Sequence, residues 1–85
     1  MGAPRVMMYS TSWCGYCARA RALLESKGVA VLEIDVDEVP GARDAMVAKS
    51  GRTSVPQIFI GDEHVGSSDD LEDLEAAGRL DPMLK

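Results

Sequence analysis

The chain has 85 residues, a length that suits one small domain with a modest core. Its formal net charge is −5 and its pI is about 4.6, so it lacks the basic stripe that nucleic-acid phosphates or an anionic membrane would require. Hydrophobic residues make up 46%, enough for a packed interior, yet no apolar run approaches the eighteen or so residues needed to span a bilayer.

The stretch Met1 to Met8 is too short for a signal peptide and contains Pro4 and Arg5. Gly2 stands where myristoylation would start, but Val6 occupies the position that wants Ser or Thr. Together these features predict a cytoplasmic protein, where a cysteine pair is catalytic rather than structural.

Arg5 to Tyr9 is apolar and β-rich and predicts a short buried strand. A helix is expected from Cys14 to Lys27, built on Ala18, Ala20, Ala22, Leu23 and Leu24 and stopped by Gly28. Val29 to Val36 reads as a second strand, too apolar for an edge facing water on both sides. A strand, a helix of about four turns and a strand form a βαβ unit with parallel strands. Pro40 suits the first turn of a second helix, which carries Ala42, Ala45, Met46 and Val47 inward and ends near Gly51. Gln57 to Ile60 is the third strand, and Gly61-Asp62 turns it into Glu63-His64-Val65 as an antiparallel hairpin. A third helix follows from Asp69 to Ala77, with Ser68 or Asp69 as N-cap, and Leu80 to Leu84 adds one more turn. The order describes an α/β fold, a four-stranded mixed sheet with helices on both faces and no linker, repeat or second domain.

Charge is uneven along this chain. Arg19, Arg21 and Lys27 make the first helix basic, whereas Asp62 to Glu75 is strongly acidic. This describes either two solvated helix faces or a site that sees both signs.

The chemistry centres on Trp13-Cys14-Gly15-Tyr16-Cys17, which holds the only two cysteines of the chain. A C-x-x-C motif at a strand-to-helix junction reads as a thioredoxin-like dithiol. At the helix start Cys14 feels free N–H groups and the positive end of the dipole, which favour a thiolate nucleophile. Cys17 lies one turn later on the same face, within disulfide reach, as the more buried resolving thiol. A structural zinc site wants four ligands, and His64 is the sole additional soft ligand. A structural disulfide would close so small a loop that it would hardly constrain the unfolded chain.

Two further constellations accompany the cysteines. Ser54-Val55-Pro56 heads the third strand, and Pro56 is either an ordinary turn proline or a cis-proline that exposes the Val55 backbone to an extended thiol peptide. Gly66-Ser67-Ser68-Asp69-Asp70 is either a plain helix cap or a site for an amino-acid headgroup. In the second case the backbone N–H groups take a carboxylate and an Asp takes an ammonium.

The chain resembles the glutaredoxin family over nearly its whole length, in the small bacterial dithiol form. The resemblance is carried by Cys14-Gly15-Tyr16-Cys17, Ala20-Arg21-Ala22-Leu23-Leu24, the stretch Ser50 to Ile60, Gly66 with Asp69-Asp70-Leu71, and Gly78 with Leu80-Asp81-Pro82. It implies a thioredoxin-like fold and a monomer that uses glutathione to reduce protein disulfides and glutathione mixed disulfides. It further implies that Cys14 takes glutathione as a mixed disulfide, with Tyr16 packing beside it. Ser54, Val55 and Pro56 would flank the cysteinyl part, paired through the Val55 backbone. Ser68 and Asp69 would receive the γ-glutamyl carboxylate, with Asp69 or Asp70 facing its ammonium. Arg43 matches a position where a long polar side chain reaches the glycine carboxylate.

Four departures from the family pattern stand out. Thr11 stands in the glutathione site where a lysine is usual, which removes a cation. Trp13 puts a large aromatic at the rim, and Ser68 replaces a third cysteine seen in some relatives. Gly15 replaces the proline common between the cysteines. It keeps open an alternative: a [2Fe–2S] cluster at a dimer interface, held by Cys14 and glutathione from each subunit. A third reading, a redoxin fed by thioredoxin reductase that serves ribonucleotide reductase, fits the glutathione-site residues less well. Ribonucleotide reductase nonetheless remains a candidate partner beside glutathionylated proteins.

Overall fold

In the computed structural model, which describes residues 4–85, the chain opens with β1 (Val6–Ser10) and α1 (Gly15–Ser26). The Gly2 reading lies outside the described residues. Next come β2 (Val31–Asp35), α2 (Ala42–Ser50), β3 (Gln57–Ile60), β4 (Glu63–Gly66), α3 (Ser68–Ala76) and a short α4 (Leu80–Met83). The strands form one sheet in the order β2-β1-β3-β4. β1 pairs parallel with β2, as the α1 crossover requires, and antiparallel with β3, which pairs antiparallel with β4. The ends of β1, β2 and β4 and the start of β3 therefore share one end of the sheet. Four loops meet there.

Alternation along β1 divides the interior. Val6 and Met8 join Ala20 and Leu24 of α1, Leu71 of α3, and Leu80 and Leu84 around α4. On the opposite face Tyr9 packs with Val36 and with Ala42 and Met46 of α2. Ala42 and Met46 are four apart and so share one helix stripe.

Four details differ from the sequence expectation. β2 covers Val31–Asp35 rather than Val29–Val36; it is an edge strand that does not face water on both sides, because Val31 and Ile34 each pack against a different core while Leu32 is left 61% exposed. α2 starts at Ala42, because Gly41 is left-handed at φ 80° and leaves Pro40 in the preceding turn. Val47 faces solvent rather than the core. The opposed charges pair across helices: Arg19 of α1 holds Glu72 of α3 at 2.7 Å, and Lys27, the C-cap of α1, holds Glu75 of α3 at 2.7 Å and Asp81 of α4 at 2.8 Å. They cross-link helices and do not converge on the cysteines.

Candidate active site

Cys14 is the N-cap of α1, with extended backbone at φ −86° and ψ 118°. Its sulfur accepts the Cys17 backbone N–H at 3.3 Å, so the thiol itself caps the helix. The Cys14 S–H points to the Val55 carbonyl at 3.8 Å. Cys14 is half-buried, whereas Cys17 is completely buried, and both thiols are free. Burial first, then the hydrogen bond with Cys14, pushes the Cys17 thiol up from 9.0 to about 12. The Thr11 backbone and the Arg21 charge pull the other way without overcoming them. The arrangement separates an accessible sulfur from a neutral, protected one.

The peptide bond between Val55 and Pro56 is cis, and Pro56 is buried directly before β3. A cleft of about 200 Å³ runs from Tyr16 past Ser54, Val55 and Pro56 to Ser67, Ser68 and Asp69. The structure thus brings the three sequence constellations to one cleft. A larger depression of about 710 Å³ lies at the opposite end of the sheet, around Met7, Leu32 and Phe59, and none of its lining residues is a thiol.

At the cleft's far end Ser67 caps α3 in a reciprocal box: its hydroxyl accepts the Asp70 N–H while the Asp70 carboxylate accepts the Ser67 N–H at 2.9 Å. Asp70 also accepts from Arg52 at 3.0 Å. The Ser67 backbone N–H, then Arg52, hold the Asp70 carboxyl below the usual carboxylate range. Asp70 is thus committed to the cap, while Asp69 is exposed at the cleft. Gly66 is required here, since a Cβ would sit 2.2 Å from Asp70 Oδ2. The Ser68 and Thr11 side chains are buried, each with its hydroxyl unpartnered among the described residues. Thr11 therefore offers no exposed side chain to a ligand.

On the other side of Cys14 the sequence reading missed a bridge. The Trp13 Nε1–H donates to Asp37 Oδ2 at 3.1 Å, and Arg43 donates to Asp37 Oδ1 at 3.0 Å. Trp13 first, then Arg43, hold the Asp37 carboxyl below its ordinary range. Arg43 is consequently occupied by a protein carboxylate. Gln57 was missed as well. It is fully buried, donates to the Ser54 carbonyl at 3.0 Å, and faces His64 Nε2 at 2.7 Å. It thereby ties the Ser54-Val55-Pro56 loop to the sheet. A polar residue in an apolar strand was the available signal.

The glutaredoxin family model matches residues 6–65. The glutaredoxin of Pseudomonas aeruginosa is 52% identical over 81 residues, covering 95% of this chain and 96% of that protein. Glutaredoxin 3 of Escherichia coli K12 is 51% identical over 80 residues, covering 94% and 96%. The crystal structure of a buckwheat glutaredoxin–glutathione complex superposes with a TM-score of 0.87 at 30% identity, covering 96% of this chain and 76% of that one. Similarity of this order extends well beyond the dithiol loop into every strand, and on it the chain belongs to the glutaredoxin family of thiol–disulfide oxidoreductases.

Proposed function

We propose that this chain is a cytoplasmic, single-domain glutathione-dependent oxidoreductase that reduces protein disulfides and glutathione mixed disulfides through Cys14 and Cys17. The observation that carries the reading is the Cys14 sulfur at the helix start, facing the Val55 carbonyl beside a cleft that ends at the first turn of α3, where a helix presents its backbone N–H groups. The buckwheat relative with bound glutathione supports the choice of thiol.

The Cys14 thiolate attacks the glutathionyl sulfur of a mixed disulfide. The old S–S bond breaks, its electron pair leaves with the substrate thiolate, which takes a proton from water, and a Cys14–glutathione disulfide forms. A second glutathione thiolate attacks that adduct, releasing glutathione disulfide and the Cys14 thiolate. For a protein disulfide the first adduct joins Cys14 to the substrate. Cys17 then attacks Cys14, and its proton passes to the leaving substrate thiol. The resulting Cys14–Cys17 disulfide is reduced by two glutathiones.

In this reading the γ-glutamyl carboxylate meets the backbone N–H groups of Ser68 and Asp69, and the Asp69 side chain takes the ammonium because Asp70 is held by Ser67 and Arg52. The cysteinyl part pairs with the Val55 backbone, between Tyr16 and the Ser54–Pro56 loop. The protein works as a monomer on glutathionylated or disulfide-bonded proteins, ribonucleotide reductase being one candidate. A coupled assay with glutathione, glutathione reductase, NADPH and a small mixed disulfide tests it. Steady NADPH oxidation that depends on the protein is expected, and none above the protein-free rate overturns the reading.

A second reading rests on Gly15, where among the described residues a Cβ would meet nothing within 4 Å and the surface beside Cys14 is open. Among the described residues no group of three or more metal-ligating side chains comes together, and Cys17 is inaccessible, so one chain presents a single thiol. A [2Fe–2S] cluster fits only between two copies, each giving Cys14 and one glutathione thiolate. Anaerobic reconstitution with iron, sulfide and glutathione tests this. A coloured dimer supports it, and a colourless monomer removes it.

A further inference from the structure

The cleft has a second end, on the far side of Cys14 from α3. At the shared end of the sheet, the strand order places four features in a row. The α3 start follows β4, Pro56 precedes β3, Cys14 follows β1, and the β2–α2 turn follows β2. A γ-glutamyl-cysteinyl-glycine whose γ-glutamyl end sits at α3 and whose sulfur sits on Cys14 must send its glycine towards that turn. Asp35 ends β2, the turn after it carries Asp37 and Glu38, and Asp44 stands in the first turn of α2. Arg43 is the cation that reaches into this group, and it is paired with Asp37 at 3.0 Å. Thr11, between β1 and Trp13, is uncharged and buried. The Trp13 indole, 74% exposed, is fastened to the same Asp37 carboxylate and forms the wall on this side.

A carboxylate arriving here gains nothing from charge. One Arg is already neutralised by one Asp, and the surrounding acids make the local balance negative. Exposed charge pairs act weakly, but like charges act in the opposite sense by the same amount. An ester or amide at the glycine end escapes that opposition and keeps the γ-glutamyl and cysteinyl contacts.

Building on the glutathione reading above, we propose that this end of the site disfavours a free glycine carboxylate, so that glutathione derivatives uncharged at the glycine end are substrates equal to glutathione or better. Asp37 is the positioning residue that sets this preference, because it both occupies Arg43 and holds Trp13.

The test uses the full chain as Cys17→Ser, which stops at the mixed disulfide. It measures by quenched mass spectrometry how fast Cys14 is converted by glutathione disulfide and by the disulfide of glutathione ethyl ester. The same pair reacting with 2-mercaptoethanol supplies the intrinsic reactivity ratio, which is divided out. The corrected ester-to-acid ratio is expected at about one or above. Adding Asp37→Asn keeps an oxygen acceptor for the Trp13 N–H, frees Arg43, and lowers the ratio about three-fold, the size of an exposed charge pair. Asp62→Asn, in the β3–β4 turn at the other end of the sheet, leaves the ratio unchanged and controls for net charge. A corrected ratio clearly below one, a ratio that Asp37→Asn does not lower, or an equal effect from Asp62→Asn overturns the inference while the glutathione reading stands. No adduct with either disulfide overturns the glutathione reading and this inference with it.

Discussion

Cys14 keeps its sulfur at the cleft because an N-cap residue has extended backbone, whereas Cys17, one turn later, is turned into the interior. The spacing of the pair already announced that difference, since position within the first helical turn decides it. Asp37 was not legible in the same way. Nothing in Asp35-Val36-Asp37 signals that Trp13, 24 residues earlier, will donate to it. Such a contact depends on the parallel register of β1 and β2, which places both loops at one end. Cys14→Ser is expected to abolish thiol transfer, because the remaining thiol is buried. Cys17→Ser keeps turnover of glutathione mixed disulfides and loses most activity on protein disulfides, as parallel assays on the two substrate types will show. The buried thiol also predicts a pH dependence of stability under reducing conditions. Its folded value of about 12 lies above its ordinary 9.0, so its contribution is complete below pH 9 and is lost as pH rises towards 12. Urea midpoints of wild type should therefore fall more steeply above pH 9 than those of Cys17→Ala. Parallel pH curves for the two proteins would contradict the assignment.

At the scale of elements, the α3 start shows how a local sequence signal and a site coincide. Ser67 with Asp70 three residues on is a cap signature, and the box forms, although one residue earlier than the Ser68 or Asp69 cap expected from the sequence. The shift matters because it leaves the Ser68 and Asp69 N–H groups at the cleft and assigns Asp70 to the protein rather than to a ligand. Ser67→Ala is expected to cost about 1 kcal/mol of stability, read from the urea midpoint. Gly66→Ala is the harsher change. At φ 115° an added Cβ meets the Asp70 carboxylate, so the cap, the Arg52 pair and the backbone before Ser67 must all yield. A loss on the order of 1–3 kcal/mol is expected, accompanied by a higher KM for glutathione in the coupled assay. A KM unchanged in a folded Gly66→Ala protein would separate this helix start from thiol binding. The α2 boundary was less legible, because proline is at home both in a first helical turn and in the turn before it. The left-handed Gly41 decided between them.

The whole molecule is a sheet with unequal layers. Order and type of the eight elements followed from periodicity and turn residues, and the parallel β1–β2 pair followed from the crossover. Strand order was not readable at that level, so β2 could be recognised as apolar but not as an edge. The layer on one face combines α1, α3 and α4 over a broad core, while the other rests on α2 with Tyr9, Val36, Ala42 and Met46. That smaller core carries the Asp37–Arg43 side of the cleft, since Arg43 stands between its two buried anchors. Met46 is completely buried, and Met46→Ala leaves a cavity that costs about 2–5 kcal/mol, a large share of the roughly 5–15 kcal/mol typical of a domain. The loss is not shared evenly. Amide hydrogen exchange should show α2 opening at lower free energy than β1 and β3, which remain braced by the other layer. Leu71→Ala in α3 should lower global stability without that selective opening of α2. If both variants loosen α2 and the strands alike, the two cores act as one cooperative unit, and the cleft's two walls cannot be tuned independently.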